Sequence, residues 1–114
     1  MRIEKFEDIL SWQKSKNLAV FVYETFKDNR DYGFKDQIQR AVVSISNNIA
    51  ESYERRSNKE FKQFLYVAKG SCREVRSMAY IAVGLKYLND GNFEKINSDS
   101  LEVSKLLSGL IKVL

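Results

Sequence analysis

Apolar residues recur every three or four positions through most of this 114-residue chain, and no proline interrupts them. That spacing puts them on one face of an α-helix, whose period is about 3.6 residues. Proline is the residue that most often breaks a helix, so its absence predicts long continuous ones. Gly and Asn/Asp clusters at Asp28 to Gly33, Ser57-Asn58 and Asn89 to Asn92 read as turns, and these cut the chain into four segments.

The first segment, 9–27, carries Leu18, Ala19, Val22 and Phe26 on its stripe. The second, 34–55, carries Ile38, Val42, Ile45 and Ile49, with Asp36 near the positive end of the helix dipole. The third, 58–88, opens on Ser57-Asn58-Lys59-Glu60, a capping-box pattern. Its stripe runs Phe61, Leu65, Ala68, Cys72, Val75, Ala79 and Ala82. The fourth, 92–114, carries Phe93, Ile96, Val103, Leu107, Leu110 and Leu114, with Ser100 interrupting and Asn92 as a cap. Asp99 and Glu102 also form a cap pair, which leaves a break at Ser98-Asp99 open. No segment alternates as a strand would. Four amphipathic helices joined by short turns predict an all-α fold: an antiparallel up-down-up-down four-helix bundle, one domain over 1–114.

Composition then removes several kinds of chemistry. Without His there is no Ser-His-Asp triad and no His metal ligand. One Cys makes neither an internal disulfide nor a thiolate zinc cluster. Cys72 sits on the core stripe and reads as a small buried hydrophobe. The five glycines are isolated, so no Gly-rich phosphate loop is present. No cofactor, metal or catalytic residue is expected. The N-terminus lacks the apolar run of a signal peptide, and no stretch approaches the roughly 20 apolar residues of a membrane span. A cytoplasmic protein without membrane contact is the expectation.

The net charge of +4 is unevenly placed. Residues 55–76 hold seven cations, Arg55, Arg56, Lys59, Lys62, Lys69, Arg73 and Arg76, against Glu60 and Glu74. At about 100° per residue, the last five cations share an arc of roughly 100° on the third helix, away from its core stripe. Tyr66, Tyr80 and Tyr87 fall on the same arc. Two readings stay open. The arc is a phosphate-binding ridge with rings able to stack on bases, or it is a solvated face whose tyrosines cover apolar surface.

Arg40, Ser44, Asn48 and Glu51 form a polar ladder on the second helix, and Gly70, Ser71 and Glu74 interrupt the third. They read as a hydrogen-bonded seam that fixes helix register, with Arg40 or Asn48 reaching Glu74 and Gly70 admitting another helix closely. A ligand site is the alternative. Val20, Phe21, Tyr23, Val43, Val67, Met78, Val83 and Leu85 exceed what one core needs, which predicts a homo-oligomer.

The runs FEDILSWQKSKNLAVFVY, QIQRAVVSISNNIAES, FKQFLYVAKGSCREV and LLSGLIKVL resemble the four-helix-bundle proteins encoded in intervening sequences of bacterial large-subunit ribosomal RNA genes. The resemblance covers residues 6–114. The family's recurrent Arg-Ala, Ser and Asn-Ile-Ala-Glu fall on Arg40-Ala41, Ser44 and Asn48 to Glu51, and its Gly-Ser and Glu fall on Gly70-Ser71 and Glu74. Where relatives commonly carry Pro and Gly, this chain has Ser46 and Ser52. The resemblance implies a ring, a pentamer favoured, with no assigned enzyme activity. A similar fold serves as a nucleic-acid-binding accessory to the reverse transcriptase of diversity-generating retroelements. Two functions follow as expectations: RNA or DNA binding through the basic arc, or a scaffold that engages a protein partner without touching nucleic acid.

Overall fold

The computed structural model describes residues 3–55 and 57–114. A short 3-10 turn, Phe6–Asp8, leads into four helices: α1 (Leu10–Phe26), α2 (Tyr32–Tyr53), α3 (Asn58–Gly84) and α4 (Asp90–Lys112). The described residues contain no strand. Each helix packs on its two neighbours around a square, α1 on α2, α2 on α3, α3 on α4 and α4 on α1; among the described residues no Cα atoms of diagonal helices come within 8 Å. The short connections make neighbours antiparallel, and the longest dimension is 43 Å. No helix among the described residues is long and apolar enough to cross a membrane.

The predicted stripes form the core. Leu18, Val22 and Phe26 of α1, Ile38, Val42, Ile45 and Ile49 of α2, Leu65, Ala68, Cys72, Val75, Ala79 and Ala82 of α3, and Ile96, Val103 and Leu107 of α4 are all buried. Phe61, Phe93, Leu110 and Leu114 pack against it only partly buried. Met78, expected as surplus, is buried at the edge of the core. Phe21, Val43 and Val83 also pack against it.

Three helices begin at a side-chain cap. Asp31, Ser57 and Asn89 accept hydrogen bonds from the backbone N–H of Phe34, Glu60 and Asn92. Such caps satisfy amide donors that have no partner within the helix. The Ser57 cap is the predicted one. Asn89 rather than Asn92 caps α4, and α2 starts ahead of Phe34 because Asp31 is available. Asp36, now inside α2, pairs with Arg40 instead. Helix α2 runs unbroken through Ser46, whose hydroxyl donates to the Val43 carbonyl. Helix α4 is also continuous: no break occurs at Ser98-Asp99, and Asp99 pairs with Lys95 one turn earlier at 2.9 Å.

Helix α3 ends at Gly84, short of the predicted position 88. Lys86 adopts φ 64°, the left-handed conformation. The Lys86 and Tyr87 N–H groups donate to the carbonyls of Val83 and Ala82. This is a Schellman closure with Lys where Gly is usual. It swings Tyr87 off the α3 surface. The Tyr87 hydroxyl donates to Asp31 Oδ2 at 2.8 Å, and its ring meets Phe34 edge-on. Phe34 in turn lies 6.0 Å from Phe26. One aromatic cluster therefore ties the α1–α2 turn to the α3–α4 turn at the same end of the bundle.

Candidate functional site

The polar ladder divides into a seam and two exposed pairs. Asn48 Nδ2 donates to the carbonyl and hydroxyl oxygens of Ser44 at 2.8 and 3.0 Å, and Ser71 Oγ donates across to Ser44 Oγ at 2.9 Å. The Ser71–Ser44 bond pins α3 to α2, and Asn48 braces Ser44 from within α2. Arg40 and Asn48 do not reach Glu74. Each finds a nearer partner one turn away on its own helix, and Gln37 Nε2 is the group beside Glu74, at 3.5 Å. Glu51 pairs with Arg55. Gly70 is not the point of close helix approach expected of it. A Cβ built there would meet only the side chain of Arg73, at 3.9 Å. Among the described residues no group of three or more Cys, Asp and Glu is arranged to hold a metal ion.

Surface clefts among the described residues lie on the α1–α4 side. One of about 170 Å³ is lined by Lys14, Asn17, Lys95, Asp99 and Glu102, with Lys14 and Glu102 paired at 3.2 Å. A shallower apolar groove of about 360 Å³ runs past Leu10, Leu106 and Leu110. Neither includes a member of the ladder.

Helix α3 brings together most of the predicted basic arc. Lys59, Tyr66, Arg73 and Tyr80 are exposed, and Lys62, Lys69 and Arg76 are half-buried. The side chains of Lys62, Lys69, Arg73 and Arg76 form no ion pair among the described residues, and Glu74 is turned toward Gln37 of α2. Unpaired cations on one helix face sum into a positive ridge. Arg55 stands apart. It follows the end of α2, pairs with Glu51, and stacks its guanidinium over Phe64 at 4.9 Å. Arg56 lies outside the described residues. Tyr87, held by Asp31, is not on the ridge.

Cys72 lies directly beneath this ridge. The fields of Arg76, Lys69 and Arg73 favour its thiolate, but burial outweighs them and pushes the thiol from 9.0 up to about 11. The folded thiol is therefore inert at neutral pH. Ellman's reagent at pH 8 is expected to leave it unmodified in buffer and to titrate one thiol in concentrated urea. Because the folded value lies above the unfolded one, the stabilising contribution of Cys72 is complete below about pH 9 and is lost as pH rises toward 11. The urea midpoint should accordingly fall more steeply across that window for the wild type than for Cys72→Ala. Equal slopes would show that the thiol is not buried.

The geometry defines a class: a four-helix bundle with a cationic face unpaired among the described residues and a half-buried polar seam. Comparison with known proteins gives the family. The model of the 23S rRNA-intervening sequence proteins matches residues 7–109, so the chain belongs to that family. A crystal structure from Bacteroides thetaiotaomicron, described as a protein of unknown function from the S23 ribosomal protein family, superposes with a TM-score of 0.85. The two are 28% identical, over 90% of this chain and 99% of the other. No curated protein matches the chain.

Proposed function

We propose that this protein binds RNA or DNA, without enzymatic activity, through the α3 ridge of Lys59, Lys62, Tyr66, Lys69, Arg73, Arg76 and Tyr80. The observation that carries the reading is the set of cations left without carboxylate partners on a single face. Some cations of the chain are taken up by i,i+4 carboxylates, as Arg40 and Lys95 are. The ridge cations, by contrast, are free to meet phosphates. Arg55, stacked over Phe64 of α3, would extend the surface at that end.

Self-association in a cytoplasmic setting is part of the same proposal. Val20, Tyr23, Val67, Ile81 and Leu85 are each about half exposed, more apolar surface than an isolated bundle of this size needs. A ring, with five copies favoured, would repeat the ridge around its axis and multiply its affinity.

The test is binding to a labelled oligonucleotide followed against salt. Each phosphate neutralised contributes about −0.7 to −0.9 to the slope of log K against log salt. With four to five ridge cations engaged, a slope of roughly −3 to −4 per protomer is expected. Binding that is flat in salt, or absent at low salt, would overturn the proposal. Recovery of a single stoichiometric protein partner, insensitive to nuclease, would then favour the scaffold reading.

A further inference from the structure

We propose that the polymer on this ridge is single-stranded, with one base stacked on Tyr66, another on Tyr80, and the phosphates between them on Lys69, Arg73 and Arg76. The inference rests on the nucleic-acid reading above and specifies the class of ligand.

It begins from what the tyrosines do in this fold. Tyr53 and Tyr87 are half-buried, and their hydroxyls bond to the Ile3 carbonyl and to Asp31. Tyr66 and Tyr80 are 58% and 60% exposed, and neither hydroxyl has a hydrogen-bond partner among the described residues. They cover little core. Exposed tyrosine is not rare here, since Tyr32 lies open on α2. The placement is what distinguishes this pair. The two rings stand fourteen residues apart on one helix, about 21 Å at 1.5 Å per residue, and within roughly 40° of each other around it. Lys69, Arg73 and Arg76 fall in the interval, on the same arc. Tyr80 is also held in position, its ring edge-on to Phe93 of α4 at 4.9 Å, while most of its surface stays open.

An exposed ring is of use to a nucleic acid whose bases are free. In a duplex the base faces are stacked inside, and a helix reaches only base edges, sugars and phosphates. A single strand offers both chemistries at once: bases to the rings and backbone to the cations. At about 3.4 Å per stacked nucleotide, the interval between the rings spans roughly six nucleotides. With the cations between the rings engaged by phosphates, and stacking indifferent to base identity, little sequence preference is expected.

The experiment compares a fluorescein-labelled mixed-sequence strand of about twelve nucleotides with the same strand annealed to its complement, by anisotropy at fixed salt. The single strand is expected to bind more tightly. Tyr66→Leu and Tyr80→Leu should each weaken it by about 5- to 100-fold and leave duplex binding unmoved. Tyr66→Phe and Tyr80→Phe should bind within about twofold of wild type, since stacking needs the ring and not the hydroxyl. Among the described residues Tyr66 packs against no other ring, so Tyr66→Leu remains informative even if Tyr80→Leu loosens the contact with Phe93. Duplex binding as tight as single-strand binding, or Tyr→Leu variants that bind the strand like wild type, would overturn the inference while leaving the basic-ridge reading in place. Binding of neither form by the wild type would overturn both.

Discussion

Replacing Lys69, Arg73 and Arg76 together by Glu is expected to weaken oligonucleotide binding by on the order of 10²- to 10⁴-fold while leaving the bundle folded. The estimate comes from Coulomb's law. A cation and a phosphate about 4 Å apart attract by about 1 kcal/mol in water, and reversing the sign doubles the change. Three reversals then amount to about 6 kcal/mol before screening, which salt reduces. The fold should tolerate the change because none of the three side chains is ion-paired among the described residues, and none is among the buried core side chains. The control is Lys16, Lys105 and Lys112 replaced by Glu. These are exposed lysines of α1 and α4. The change in net charge is identical and only the face differs. A ridge that works locally loses binding in the first variant and keeps most of it in the second. Equal losses would show that net charge alone attracts the polymer and that α3 is not its site.

The ridge could be read from the sequence because it depends on angle alone. Once α3 is a continuous helix, residues 62, 69, 73 and 76 must share a face, whatever else the chain does. The four core stripes were legible for the same reason. What angle does not carry is the identity of partners. Arg40 and Glu74 were expected to meet across helices, yet Arg40 has a carboxylate one turn away on its own helix, Asp36, and local pairs form with little loss of side-chain freedom. The loss of Tyr87 from the ridge turned on one backbone conformation. Lys86 takes up the left-handed position that sequence reasoning assigns to Gly or Asn, so the helix appeared to run on. The start of α4 was misplaced because Asn89 and Asn92 are equally good caps, and the structure uses one as acceptor and the other as donor. The short reach of Gly70 toward its neighbours had no sequence signal at all.

The stability of the far end of the bundle is concentrated in one side chain. Phe26 is 1% exposed, closes the last turn of α1, and stacks toward Phe34, which carries Tyr87 and through it the α3–α4 turn. Truncating a buried Phe removes its transfer free energy and leaves a cavity that packed neighbours fill only in part. Phe26→Ala is therefore expected to lower unfolding stability by about 3–5 kcal/mol, much of the 5–15 kcal/mol a domain usually has. For a chain of this length that corresponds to a fall in Tm of more than about 10 °C. Phe26→Leu, which keeps most of the volume, should lose well under half as much. Urea denaturation with an unchanged m-value would assign the loss to packing rather than to the unfolded state. Tyr87→Phe separates the ring from its hydroxyl: it breaks the bond to Asp31 but keeps the edge-on contact with Phe34, and should cost far less than Phe26→Ala. If Phe26→Ala cost no more than Tyr87→Phe, the aromatic cluster would be a surface feature and not the clasp that holds two turns together.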